Sequence, residues 1–95
     1  MVNQNQKKQL KALAHHLKPV VTIGKDGITD NVIESTKVSL TAHQLIKVHV
    51  LNTSPASVHE IAIDLSSKTK ADIIQEIGRM IVLYQPSKDR KKWLI

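Results

Sequence analysis

Apolar residues recur with helical spacing in three segments of the chain. Residues 7–17 contain one series at positions i, i+3, i+4 and i+7, namely Leu10, Leu13, Ala14 and Leu17. Residues 29–42 carry an apolar arc with polar residues outside it, and residues 55–67 repeat the first spacing. Because such spacing places apolar side chains on one side of a helix, the pattern predicts three helices. The tripeptide at 53–55, Thr-Ser-Pro, predicts the start of the third.

Four shorter segments have the composition of strands. Residues 19–23 are a β-branched run after a proline, and residues 45–51 alternate apolar and polar positions. Residues 80–84 are the longest uninterrupted apolar run. Residues 72–77 fit either a turn of helix or a strand. We expect a strand here, joined to residues 80–84 by a turn at Gly78.

The resulting order, αβαβαββ, predicts an α/β fold: a two-layer domain in which a four-stranded mixed sheet packs with three helices. The length of 95 residues is that of one domain, residues 1–95. Residues 1–5 are polar and are expected to be frayed. Residues 86–95 are predicted to form a basic, extended tail, whose apolar end at residues 93–95 can dock on the domain.

The composition limits the possible chemistry. The chain contains no cysteine, which excludes disulfides, cysteine-ligated metals and thiol catalysis. Its five histidines include no His-x-x-x-His pair, and no serine lies in a nucleophile elbow. We therefore expect a non-enzymatic protein without cofactor, metal or small-molecule substrate. The apolar runs are too short for a signal peptide or a membrane span, which predicts a cytoplasmic protein with no membrane partner.

Positive charge is concentrated at the two ends of the chain. The sequence has 14 basic and 8 acidic residues, and residues 1–25 contain five lysines and no acid. Three of them, Lys7, Lys11 and Lys18, fall within about 40° of one another on a helical projection, so we predict a basic ridge on the first helix. Such a field favours a polyanionic partner, although a solvated surface that keeps a small domain soluble has the same composition.

The tetrapeptide from Gly24 to Gly27, which contains Lys25 and Asp26, lies between a predicted strand and a predicted helix. Glycine permits positive φ and close approach of another backbone, and the start of a helix presents unpaired amides that suit a phosphate. A loop of this type can hold a sugar-phosphate backbone, as the Gly-x-x-Gly loop of KH domains does. Asp-Gly is also frequent in hairpin turns, but the helical spacing of residues 29–42 favours a loop before a helix. We expect Asp26 to cap that helix or face solvent.

Aromatic residues are limited to Tyr84 and Trp93. Domains that bind single-stranded RNA by stacking use several aromatic side chains on one surface. If the chain binds RNA, the scarcity therefore predicts binding through lysines, backbone amides and shape, which favours structured RNA over sequence reading of single strands. Arg79, next to Gly78, is a further candidate for a phosphate contact.

Three separated motifs resemble the CRM domain, and more narrowly its bacterial single-domain, YhbY-like members. They are the segments 18–29, 43–48 and 77–84, and the resemblance extends over about residues 9–86. It implies an RNA-binding domain related in fold to KH modules and to the C-terminal domain of bacterial translation initiation factor three. It also implies that residues 24–27 contact RNA, and that the partner is ribosomal RNA in precursors of the large ribosomal subunit.

Two positions depart from the usual letters of that family. Gln44 stands where glutamate is common, on what we expect to be a solvent-facing strand end. Gln85 stands where arginine is common, which removes one positive charge.

The sequence thus predicts a monomeric RNA-binding protein that acts in assembly of the large ribosomal subunit. Its predicted RNA-binding residues are Gly24, Lys25, Asp26, Gly27, Lys7, Lys11, Lys18 and Arg79. The alternative is an adaptor whose basic face binds an acidic protein.

Overall fold

A computed structural model describes residues 2–95 and has the predicted element order. Its elements are α1 (Gln4–Ala14), β1 (Pro19–Ile23), α2 (Asp30–His43), β2 (Leu45–Val50), α3 (Val58–Thr69), β3 (Asp72–Ile77), β4 (Met80–Tyr84) and a short 3₁₀ helix (Arg90–Lys92). The α/β class, the three helices and the four-stranded mixed sheet are therefore confirmed. Residues 72–77 are a strand, as expected.

The strands lie in the order β1-β2-β4-β3. Strand β1 is parallel to β2, and β4 is antiparallel to both β2 and β3. The loop after β1, the segment after β2 and the β3–β4 turn consequently meet at one end of the sheet, where β1 and β2 terminate. We call it the loop edge.

The two faces of the sheet are covered unequally. Helices α2 and α3 cover one face and bury most of the core, including Leu40, Val48, Leu65 and Leu83. Helix α1 packs on the opposite face through Leu10 and Ala14, against Leu45, Ile74, Val82 and Tyr84. Because these partners lie away from the loop edge in β2 and β4, α1 leaves the rest of its face uncovered.

Helix α1 is displaced toward the N-terminus from its predicted range of 7–17. The Asn3 side chain accepts a hydrogen bond from the Gln6 amide (2.8 Å), and the Gln6 side chain accepts one from the Asn3 amide (3.0 Å). This reciprocal cap starts the helix at Gln4, so the expectation that residues 1–5 are frayed is wrong for residues 3–5; Met1 lies outside the described residues. The helix ends at Ala14, and Leu17 lies beyond it.

Helix α3 starts three residues later than predicted. Ser57 is its N-cap, with Oγ accepting from the Glu60 amide at 3.2 Å. The Ser57 hydroxyl also donates to the Glu60 carboxylate at 3.1 Å, which holds the two side chains of the cap together. Ser54 instead bonds within its own turn, to the backbone of Ala56.

The C-terminal tail is held against the domain rather than fully extended. The Gln44 side chain donates to the Lys92 carbonyl at 2.7 Å, and the Trp93 indole donates to the Ser87 carbonyl at 2.6 Å. Ile95 packs on the α1 cluster. Gln44 is buried with a φ of 66°, so its predicted solvent-facing position is wrong. It ends α2 and anchors the tail.

Gln85, the second departure from the family pattern, has a structural partner as well. Its side-chain amide donates to the carbonyls of Thr69 and Lys70, at 3.0 and 3.3 Å. These carbonyls lie at the end of α3, where backbone acceptors lack helical partners. The amide therefore caps α3.

Tyr84 gives the fold a dependence on alkaline pH. Burial raises the pKa of its phenol above the usual 10.0, and the nearby Asp72 carboxylate raises it further. The folded protein thus holds this proton to higher pH than the unfolded chain, and the free energy of unfolding falls as pH rises past 10.0. We expect the free energy of unfolding of Tyr84→Phe to fall less than that of the wild type when the pH is raised through 10.0. Urea unfolding below and above this pH measures both changes. Parallel losses would contradict the assignment.

A candidate nucleic-acid interface

The segment from Gly24 to Gly27 forms a closed turn between β1 and α2. The Gly27 amide donates to the Gly24 carbonyl at 3.0 Å, and Gly27 has a φ of +64°. A Cβ at Gly27 would also lie 3.3 Å from Pro55 Cγ, so both conformation and space favour glycine. A Cβ at Gly24 would make only ordinary van der Waals contacts, so space does not require glycine there. Lys25 and Asp26 are exposed at the tip. Because the turn leads into a helix, the hairpin alternative is wrong.

The start of α2 follows this turn. The Thr29 hydroxyl caps the helix by accepting from the Val32 amide at 3.1 Å, and Asp26 stays exposed. No helix carbonyl can reach the amides of Asp30 and Asn31 in the first turn, which suits an anion. The exposed carboxylates of Asp26 and Asp30 repel a phosphate on the α2 side. A polyanion is therefore favoured on the side of Lys25 that faces away from α2.

Arg79 lies at the loop edge and is joined to the turn through the segment after β2. Its Nε donates to the Val50 carbonyl at 2.6 Å, and one terminal nitrogen donates to the Leu51 carbonyl at 2.7 Å. The Leu51 amide in turn donates to the carbonyl of Ile23, the residue before the turn, at 2.8 Å. A guanidinium has five N–H donors, so three remain for an outside acceptor. Arg79 both supports the loop edge and can bind a phosphate.

The three lysines predicted to form a helical ridge do not share a helix. Lys7 and Lys11 lie on α1, whereas Lys18 lies beyond its end, directly before β1. Lys18 and the Gly24–Gly27 turn are at opposite ends of β1, about 20 Å apart along an extended strand. The lysines and the turn are thus separate contact points, which one extended ligand could join.

Charge is segregated between the helices on the two faces of the sheet, while Asp72, which pairs with Tyr84 of the α1 cluster, lies on the α1 face. Helix α1 carries three lysines and no acid, whereas α2 and α3 together carry four acids and two lysines. Lys47 pairs with Val82 of the α1 cluster, and His49 pairs with Met80 and with Thr22. Both side chains therefore lie on the α1 face. We call the three lysines of α1 (Lys7, Lys8 and Lys11), together with Thr22, Lys47 and His49, the basic face.

Lys47 and His49 were not among the residues predicted to bind RNA. Their alternation with buried neighbours was visible in the sequence, and it showed that they share one side of β2. It did not show that α1 packs on the same side, because that contact joins segments more than thirty residues apart in the chain.

Titratable groups outside the basic face include a histidine–glutamate contact and an exposed basic run in the tail, Arg90–Lys92. His59 contacts Glu76 at 3.0 Å on the α3 side of the sheet. Within residues 2–95, no group of three or more potential metal ligands lies together. In the same range, no helix combines the length and the apolar character needed to cross a membrane.

Comparison with known proteins gives consistent matches over the whole chain. A model of the CRS1/YhbY (CRM) domain matches residues 2–85. The probable RNA-binding protein YqeI of Bacillus subtilis is 38% identical over 97% of this chain and 96% of its own. An RNA-binding protein of Haemophilus influenzae is 40% identical over 95% and 91%. The solution structure of the hypothetical Staphylococcus aureus protein SAV1595, assigned as a candidate RNA-binding protein, has a TM-score of 0.82 at 41% identity, covering 98% and 97%.

Proposed function

Because the chain belongs to the CRS1/YhbY (CRM) domain family, we propose that it binds RNA, and that the RNA lies on the basic face with its backbone reaching the Gly24–Gly27 turn. The observation that carries this proposal is the charge segregation. Lysines without acids occupy α1, and acids predominate on the opposite helices. Relatives named as RNA-binding proteins support the class of partner.

The mode of binding follows from the available side chains. Tyr84 is buried, and the Arg90 guanidinium lies over the Trp93 ring at 5.2 Å from its centre. Tyr84 thus has no exposed ring, and Arg90 covers one face of the half-exposed Trp93 ring. Contacts to phosphates therefore dominate the proposed binding, which suits a structured or double-helical RNA.

We further propose that the RNA is ribosomal RNA in precursors of the large ribosomal subunit, the partner implied by the family resemblance. In this role the protein is a cytoplasmic monomer that stabilises an RNA fold without catalysing a reaction. Nothing in this role requires a cofactor.

A salt titration tests the electrostatic mechanism. If about three to five phosphates of a double-helical RNA are neutralised, log affinity falls with log salt concentration at a slope of roughly −2.7 to −4.5. Filter binding with fragments of large-subunit ribosomal RNA measures this slope. A flat response would remove the proposed mechanism.

Lys25→Glu tests the turn. We expect RNA affinity to fall about tenfold, because reversing one charge beside a phosphate costs on the order of 1–2 kcal/mol. Lys37→Glu makes the same charge change on α2, on the other face of the sheet, and should leave affinity within about twofold. Circular dichroism checks that both variants fold. Equal affinities of the two variants would exclude the turn from the interface.

A further inference from the structure

An apolar groove lies beside the basic face, at the end of the sheet opposite the loop edge. It has a volume of about 480 Å³ and lies between the end of α1, the start of β1, the end of α2 and the C-terminus. Its apolar lining residues are Leu13, Leu17, Val20, Leu45, Ile46 and Leu94. The volume is that of a typical ligand-binding cleft, which spans about 300–1,000 Å³.

The groove forms because α1 ends at Ala14, and the apolar residues at the end of its stripe are not buried against the sheet. Leu13 and Leu17 are 48% and 37% exposed, although the periodicity places both with the buried Leu10. Val20 and Leu94 are exposed to a similar degree. Four large apolar side chains around one depression are more than the scattered exposure of a typical surface, and such a patch indicates an interaction site.

The charges around the groove select the partner. Its two remaining lining residues are Lys18 and His43, both exposed. Apart from Leu94, the lining comes from residues 1–25 and 35–59, and neither segment contains an aspartate or a glutamate. An apolar depression with basic and no acidic lining is complementary to an apolar ligand that carries negative charge.

The neighbouring strand edge argues against an extended ligand. Strand β1 is at the edge of the sheet, and its register shifts between Pro19 and Val21. A proline lacks the amide needed for a ladder, and an irregular edge resists addition of a strand. A helix requires no backbone pairing and can insert side chains spaced i, i+3, i+4 and i+7.

We propose that this groove binds an acidic amphipathic helix of a partner protein, with leucine-like side chains entering the groove and carboxylates facing Lys18 and His43. The protein then has two interaction surfaces, one for RNA and one for a protein. This inference does not depend on the RNA assignment.

A pair of synthetic peptides tests the proposal. Both carry leucines at i, i+3, i+4 and i+7, with glutamates at the remaining positions in one peptide and lysines in the other. We expect the acidic peptide to bind at least about tenfold more tightly, and to shift the NMR amide signals of Leu13, Leu17, Val20 and Leu94. Equal affinity of the two peptides, or no binding of the acidic one, would overturn the proposal.

A double substitution, Leu13→Ser with Leu17→Ser, tests whether the peptide binds in the groove. We expect about tenfold weaker binding of the acidic peptide, because two half-exposed leucines lose the area they would bury. The matched control is Val38→Ser with Ile63→Ser, which removes two exposed apolar residues from α2 and α3 and should change affinity by less than twofold.

Two other occupants of the groove give distinct results in the same variants. If the groove binds a second copy of the chain, sedimentation shows a wild-type dimer that the Leu13→Ser, Leu17→Ser variant lacks. If it belongs to the RNA interface, this variant loses RNA affinity and the control does not. Either result would overturn the protein-partner proposal, which expects a monomer with unchanged RNA affinity.

Discussion

Reversing three charges on the basic face, with Lys7→Glu, Lys11→Glu and Lys47→Glu, is expected to lower RNA affinity about a hundredfold or more. In the proposed binding mode a phosphate backbone crosses α1 and β2 beside these lysines, and each reversal replaces an attraction by a repulsion of on the order of 1 kcal/mol in water. Lys7 and Lys11 are neighbours one turn apart on α1, and Lys47 lies on β2, so the three losses accumulate without being strictly additive. Filter binding at fixed salt measures the change.

The matched control reverses Lys37, Lys68 and Lys70, which lie on α2, on α3 and at the end of α3. It changes the net charge by the same amount and should weaken binding less than about fivefold. Thermal unfolding followed by circular dichroism shows whether both proteins fold. If the two triple variants lose affinity equally, net charge and not the basic face determines binding.

Leu10→Ala is expected to lower the free energy of unfolding more than Leu13→Ala, which makes the same truncation elsewhere on α1. Leu10 is fully buried against the sheet, and removing its side chain leaves a cavity that costs about 3 kcal/mol of unfolding free energy. Leu13→Ala removes the same atoms three residues later from a half-exposed side chain, and should cost less than about 1 kcal/mol. Urea unfolding of the two variants and the wild type measures both values.

Local undocking of α1 is a second route by which Leu10→Ala can act. Hydrogen exchange distinguishes it from global destabilisation, because α1 amides would then exchange faster while those of β2 and β4 stay protected. Since α1 carries three lysines of the basic face, such a variant should also bind RNA more weakly. Equal costs of the two truncations would contradict the packing of α1 described above.

The order of the elements could be predicted because each depends on a local pattern. Leucine and isoleucine spacing identifies the helices, and β-branched runs identify the strands. The same spacing could not separate the buried Leu10 from the half-exposed Leu13, since that difference depends on how far α1 extends over the sheet. The start of α1 was missed although Asn3 and Gln6 have capping spacing, and the Ser57–Glu60 cap of α3 was missed in the same way.

In the candidate site, too, features set by neighbouring residues could be predicted, whereas contacts between distant segments could not. The position of the Gly24–Gly27 turn follows from neighbouring residues, and so does the exposure of Lys25. The partners of Arg79 are carbonyls 28 and 29 residues away, and Lys47 joins the lysines of α1 only through the sheet. Such contacts depend on tertiary packing, which local periodicity does not encode.

The most direct test is an NMR titration of the labelled protein with an RNA stem from large-subunit ribosomal RNA. We expect the amide signals of α1, Thr22, Lys47, His49 and residues 24–27 to shift, with those of α3 unchanged. Shifts concentrated on α2 and α3, with the basic face unaffected, would contradict the account.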